Sequence, residues 1–417
     1  MTEIFNFLEL RIQKRGAVVP KKIQRNIKLV YALAFFHCFL IILPVIVPFF
    51  MSRGLGLAEI FYLQTVFAGT IVILEAPSGY FADLFGRRFA LILGSVIHSI
   101  GYFYLNFAHD FIGLIAFEIL AGIASSLLSG ADLALLYDSQ KILDREDSSL
   151  HSKSIEHLGF IKSCAEGFGA LLGGVLAIWS FEILVAGQSI AAGVCLVLAF
   201  LVVEPPAGRD DKAQGGLRIS DILRHIWHSD IVLRRVFIAI PIYNLATIHV
   251  AWLVQPYWEA QGVSLAIFGL LWFSQSVVVG IASKCSFPIE RRHGAVFSLV
   301  LIGALPVVGF FGMASLKGWL GISVCLLLFF GRGLVQVILV NALNRRVPGE
   351  FRATANSLAS FAFRLGFITT GPVIGYIAEN QGLNMTLNLL GAAFVMIFIT
   401  IMLPLIQSVR SLQPVTA

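Results

Sequence analysis

Apolar residues in this chain neither alternate nor recur at helical spacing against a polar face. They run on in blocks of about twenty, the length a helix needs to cross hydrocarbon. Twelve such blocks fall near 29–51, 58–81, 89–108, 112–137, 159–180, 183–203, 236–257, 265–283, 295–315, 320–342, 354–378 and 386–407. A closed β-barrel is the other way to satisfy backbone polar groups in lipid, but its strands would alternate. The pattern predicts an all-α polytopic membrane protein with twelve transmembrane helices.

The longest polar stretch, "EPPAGRDDKAQGGLRISDILRHIWHSD" from Glu204 to Asp230, falls after six blocks and before six more. Its Pro and Gly content marks a linker. Within it "SDILRHIW" offers Ser220 as a helix cap and an apolar stripe, predicting a short helix on the membrane surface. The expected organisation is a segment 1–28, a six-helix bundle 29–203, a linker 204–235, a second six-helix bundle 236–407 and a tail 408–417. Two joined bundles of six are the arrangement of transporters built from repeats. The first residues lack the features of a cleavable signal peptide, and Ile4, Phe5, Phe7, Leu8 and Ile12 suit a short helix lying on a membrane face.

Composition agrees with lipid as the outer solvent. The 417 residues are 58% hydrophobic and 13% charged, against about 25% charged in soluble domains. Lysine and arginine are placed asymmetrically. Arg11, Lys14, Arg15, Lys21, Lys22, Arg25 and Lys28, and the loops around 141–162, 209–235, 284–292 and 345–352, fall on one side; Arg53 and Lys317 alone fall on the other. Basic residues mark the cytoplasmic side, so both termini are expected there, in a cytoplasmic (inner) membrane. The net charge of +6 then faces anionic lipid and is no sign of nucleic-acid binding. Cys38, Cys164, Cys195, Cys285 and Cys325 show no CxxC spacing and read as small buried hydrophobes, with neither a metal site nor a disulfide frame expected. No HExxH, nucleophile elbow or P-loop occurs. The expectation is therefore neither an enzyme nor an ATP-driven pump, with no cofactor beyond a proton gradient.

Charge inside the blocks is the candidate chemistry, because intramembrane ionisable groups are expensive. Glu75, Glu118, Asp132 and Glu166 lie in the first half. Glu118 and Asp132, fourteen residues apart, would share one face of a continuous fourth span. Glu75, Asp132 and Glu166 sit at similar depth, where mutual repulsion and desolvation would suit proton exchange. Alternatively Lys162, one turn before Glu166, neutralises the cluster as a structural pair. In the second half Arg332 is a candidate for contact with a solute and Arg364 for bridging helices. His37, Tyr243, Asn244, His249, Trp252, Gln255 and Gln275 are softer candidates, each also able to serve as an interhelical contact. His98 reads as a core histidine.

The turn after the second block, in "LEAPSGYFADLFGRRFAL" (Leu74–Leu91), concentrates charge where the chain is otherwise apolar. "SKCSFPIERRHG" (Ser283–Gly294) echoes it in the second half with an acid, a basic pair and a glycine. "GYFADLFGRRFAL" resembles the cytoplasmic loop signature of the major facilitator superfamily at Gly79, Asp83, Gly86, Arg87 and Arg88, although Leu84 stands where a basic residue is usual. "LEAPSGYFAD", "SGADLALLYDS" and "NRRVPGEFRATANSLASFAFRLGFITTGPVIGY" resemble the superfamily's bacterial drug-efflux-like members. The resemblance implies a monomeric, lipid-embedded secondary transporter of a small molecule, with spans one, four, seven and ten lining a central cavity. It implies that Asp83 faces the start of span eleven near Thr354 and latches the outward-open state. Gly79 and Gly86 would permit the turn, while Arg87 and Arg88 would pair with acids or lipid phosphate, or simply anchor topology. Gly169-Ala170-Leu171-Leu172-Gly173-Gly174 is similar to the antiporters' Gly-Pro-x-x-Gly-Gly, with alanine in place of proline. Proton-coupled efflux is the expected activity. The alternatives are uptake or export of an anionic metabolite or siderophore, with Arg332 as the anion's partner, and a non-transporting receptor.

Overall fold

Long apolar runs leave little polar backbone unpaired if they coil, since each N–H past the first turn then finds a carbonyl four residues back. The computed structural model, which describes residues 23–143, 148–205 and 219–412, follows that rule. Among the described residues eleven helices are long and apolar enough to span a membrane: Ile23–Ser52, Leu57–Glu75, Arg87–Leu105, Phe111–Gln140, His157–Leu176, Phe181–Leu201, Ile231–Ala260, Leu265–Ser315, Gly318–Arg346, Arg352–Gln381 and Leu383–Ser411. The 51-residue helix is two spans, divided at Gly294 (φ 84°, ψ 165°), a conformation that costs a residue with a Cβ. Twelve spans result, numbered one to twelve below, and no strand occurs among the described residues. The linker's amphipathic piece is the helix Ile219–His228, with Ile222 and Ile226 buried and Asp221 and Arg224 exposed. The segment 1–22, part of the linker (206–218) and the end of the tail lie outside the described residues.

The chain divides into two units, one of residues 1–43 and 73–210, the other of 44–72 and 211–417. Spans one and two thus contribute to both: residues 44–72, the end of one and most of the other, group with the second unit.

Within the first unit, Val30, Leu33, Leu91, Leu135, Leu136 and Ala199 form one buried cluster from spans one, three, four and six. Two spans are broken. Span one leaves the helix at Phe39–Ile42, ahead of Pro44, whose missing N–H cannot continue the ladder. The amide of Gln188 on span six repairs the gap, its Oε1 accepting the Ile41 N–H at 2.5 Å and the Ile42 N–H at 3.4 Å, while its Nε2 donates to Phe39 O. Gly169 of span five packs onto this bend, where an added Cβ would stand 3.0 Å from the Leu40 nitrogen. Span four breaks at Ser129 (ψ 121°) and Gly130 (φ 89°) between helices Phe111–Leu128 and Ala131–Leu143. The continuous helix on which the expected shared face of Glu118 and Asp132 rested is therefore corrected to two helices, because counting 100° per residue fails across a non-helical pair.

Within the second unit, Trp258, Tyr243, Phe268 and Phe310 are fully or nearly fully buried. Residues 44–72 are held to spans seven and eleven by polar contacts. The Val47 N–H donates to Gln255 Oε1 (2.9 Å) and the Ala58 N–H to Glu379 Oε2 (2.8 Å). Phe61 packs against Gly375 and the ring of Phe367. Spans ten and twelve each carry a five-residue π-helical stretch, Val335–Leu339 and Phe398–Met402.

Candidate functional site

In the first unit the break in span four decides where Asp132 goes. It starts a new helix, placing Asp132 in that helix's first turn, where the positive end of the dipole favours a carboxylate. Asp132 is 3% exposed; its Oδ1 accepts the Leu133 N–H, and its Oδ2 meets Lys162 Nζ at 2.5 Å. A buried acid therefore finds a cation one helix away, as the pairing alternative expects. Glu166 is half-buried and Glu118 buried, whereas Glu75 is exposed. His37, half-buried, sets its ring edge-on to buried His98 at 5.1 Å, and His98 in turn meets Tyr102 at 4.8 Å. The Nε2 of His98 has no hydrogen-bond partner among the described residues, so this histidine is buried but not fully satisfied there.

The charged turn after span two is built around Gly86 at φ 94° and ψ 150°. Its left-handed backbone exposes the first N–H groups of span three, and Glu204 covers them. The Glu204 carboxylate accepts from Arg87 N (3.0 Å) and Arg88 N (2.6 Å), a charged cap on a helix start. Arg87 Nε pairs with Asp138 Oδ2 at 2.7 Å, and Arg88 donates to Phe200 O. Gly79 is exposed, with open space where a Cβ would stand. The side chain of Asp83 lies outside the described residues. Gly294 repeats the backbone of Gly86, but among the described residues Glu290, Arg291 and Arg292 form no ion pair.

The second unit holds a polar cavity of about 340 Å³ among spans seven, ten and eleven. Asn244 and Thr247 face it from span seven, Arg332 and Gln336 from span ten, Asn356 and Ser360 from span eleven. Arg332 is exposed to this space, and its guanidinium has no acid and no hydrogen-bond acceptor among the described residues. Asn356 is partly used, its Nδ2 donating to Asn344 Oδ1 at 2.7 Å. Arg364 donates to Ser360 from one turn along span eleven.

A profile of the major facilitator superfamily matches residues 29–371. The chain belongs to that superfamily. It is thus a multi-pass secondary transporter rather than an enzyme. The structure is similar to that of the nucleoside transporter NupG (TM-score 0.72, 11% identity, 93% of this chain and 99% of that one). It is also similar to a bacterial homologue of the lysosomal transporter Spinster, inward-facing and unoccupied (0.71, 15%, 96% and 99%), and to a D-xylose–proton symporter (0.64, 15%, 90% and 96%). No curated protein matches the sequence. At these identities the likeness is one of fold.

Of the transporter's candidate cavity residues, Asn244 and Arg332 come together on the cavity wall. Tyr243 is buried against Phe394, Gln255 serves the Val47 backbone, and Gln275 is buried with its Nε2 toward Cys325. His249 bonds Thr370 (3.0 Å) beside a separate groove of about 300 Å³ between spans seven, eleven and twelve. Trp252 is half-buried and off the polar cavity wall. The sequence reading passed over Gln336, Asn356, Thr247 and Ser360 in the cavity, and Gln188, Glu204 and Glu379 at helix ends. A lone amide in an otherwise apolar span was the available signal for Gln188; Glu204 and Glu379 look like ordinary boundary charges.

Proposed function

We propose that the protein is a proton-coupled secondary transporter of the cytoplasmic membrane, with both termini cytoplasmic, that exports a small organic solute by alternating access. The observation that carries this reading is the polar cavity with exposed Arg332 inside a lipid-facing helical unit, a place for a solute midway through the membrane. Proton coupling is supported by the pairing of buried Asp132 with half-buried Lys162. Protonating Asp132 would remove the charge that holds Lys162 and leave the pair free to part, a two-state element of the kind switching needs. The contacts of residues 44–72 with spans seven and eleven are of a type that closes a mouth and must break to open it. The outward direction draws on the efflux-like phrases in the sequence.

The test is a proteoliposome carrying the purified protein and an internal pH dye, together with dye accumulation in cells. Expression should lower accumulation, and a protonophore should restore it. In proteoliposomes an imposed proton gradient should drive solute flux, and Asp132→Asn should uncouple flux from the gradient. Flux indifferent to the gradient in the unaltered protein would end the proton-coupled reading.

A further inference from the structure

Arg332 sits at the centre of span ten. Gly318–Arg346 has 29 residues, so Arg332 is fourteen residues from either end, about 21 Å along the helix axis at 1.5 Å per residue. Lipid headgroup phosphate lies beyond its reach from there. Guanidinium groups at such depth face a partner or a water-filled space, and Arg332 faces space. It is the only charged side chain among the residues lining the cavity. Two neighbours share its condition: the Asn244 and Gln336 side chains also face the cavity with no hydrogen-bond partner among the described residues. The backbone adds a second, independent sign. Three residues after Arg332 span ten widens into the π-helical stretch Val335–Leu339, which contains Gln336. Such bulges displace side chains from their α-helical positions and recur at functional sites.

We propose that this cavity is the anion subsite for the transported solute, a small organic monocarboxylate whose neutral body also forms hydrogen bonds. The inference rests on the transport reading above and adds the class of cargo. The guanidinium fork matches a planar carboxylate through two parallel N–H donors. A single arginine balances a single negative charge, whereas a phosphate monoester brings close to two. The Asn244 and Gln336 amides each supply a donor and an acceptor beside that head group. Thr247 adds a hydroxyl, and Phe363 and Ile248 give the body an apolar wall. Carboxylate and guanidinium would neutralise one another on binding, so the loaded cavity crosses the membrane interior with less net charge than the empty one.

The experiment is thermal-shift titration of the purified full-length transporter in detergent with matched probes: lactate, pyruvate and benzoate, each against its amide, and inorganic phosphate. Acids should raise the melting temperature and their amides should not. Arg332→Gln should weaken acid binding about 10- to 100-fold, with Arg332→Lys keeping part of it. Should Arg332→Gln fail to fold, Asn244→Asp puts a like charge in the cavity and should abolish acid binding. Acids and amides binding alike, no acid binding, phosphate binding more tightly than any carboxylate, or acid binding unchanged in folded Arg332→Gln or Asn244→Asp would each overturn the assignment. Vesicle flux separates the two readings. Acid binding without flux removes the transport reading and leaves the subsite, whereas flux unaltered by Arg332→Gln removes the subsite and leaves transport.

Discussion

The two units treat intramembrane charge in opposite ways. In the first, Asp132 is buried, stands at a helix start and holds Lys162 at 2.5 Å. In the second, Arg332 is exposed to a polar cavity and has no acid beside it. A charge matched inside the protein is a structural or switching element, since it is complete without a ligand. One left unmatched within a span is a request for a partner from outside. Under the proposed function, coupling belongs to the unit with the ion pair and recognition to the unit with the cavity.

Stability measurements should break or keep that contrast. Lys162→Met strands the Asp132 carboxylate, whose side chain is only 5% exposed; losing one partner of a buried pair costs about 3–5 kcal/mol. The double change Asp132→Asn with Lys162→Met should recover most of the loss. Arg332→Gln should cost under about 1 kcal/mol, because it removes a charge that no protein group neutralises. Denaturant unfolding in a fixed detergent reads all three. Equal losses for Lys162→Met and Arg332→Gln would erase the distinction.

A second comparison is between the broken first span and its continuous neighbours. Its bend at Phe39–Ile42 depends on one amide, Gln188, for two backbone N–H groups. Gln188→Leu leaves both unsatisfied at about 1–3 kcal/mol for a buried donor. Hydrogen exchange should quicken at Ile41 and Ile42, with little change in span three. Unchanged protection at both amides would show that the bend does not need the side chain.

The twelve spans were legible because their apolar runs are long and unbroken, and lipid enforces helix wherever they occur. The interruptions were not. Pro44 hinted at the break in span one, but a break needs its acceptor, and Gln188 lies more than 140 residues away. Gly130 reads as any glycine until its positive φ is seen, so the face shared by Glu118 and Asp132 looked secure. Arg332 and Asn244 stood out because charge and amide are rare in apolar runs. Gln336 and Asn356 did not, because which way a residue points near a π-helical stretch is set by packing that sequence spacing leaves open.

The smallest effect tests the likeness of the two turns. Gly86 and Gly294 share a left-handed backbone, with φ of 94° and 84°. The first turn is capped by a carboxylate from a distant part of the chain, Glu204, whereas among the described residues no carboxylate accepts from the backbone N–H groups that follow Gly294, although Glu290 lies four residues before it. If the conformation came from glycine alone, neither acid would matter. The two hydrogen bonds at span three say that the first does. Glu204→Gln should therefore cost about 0.3–1 kcal/mol, the range for a charge at an exposed helix start. Glu290→Gln should fall within about 0.5 kcal/mol of zero. The difference should shrink with added salt, because an exposed carboxylate acting on a helix dipole is screened. Matching losses in the two variants would mean that both turns draw on an acid to the same degree, and that the repeat is symmetric in energy as well as in backbone.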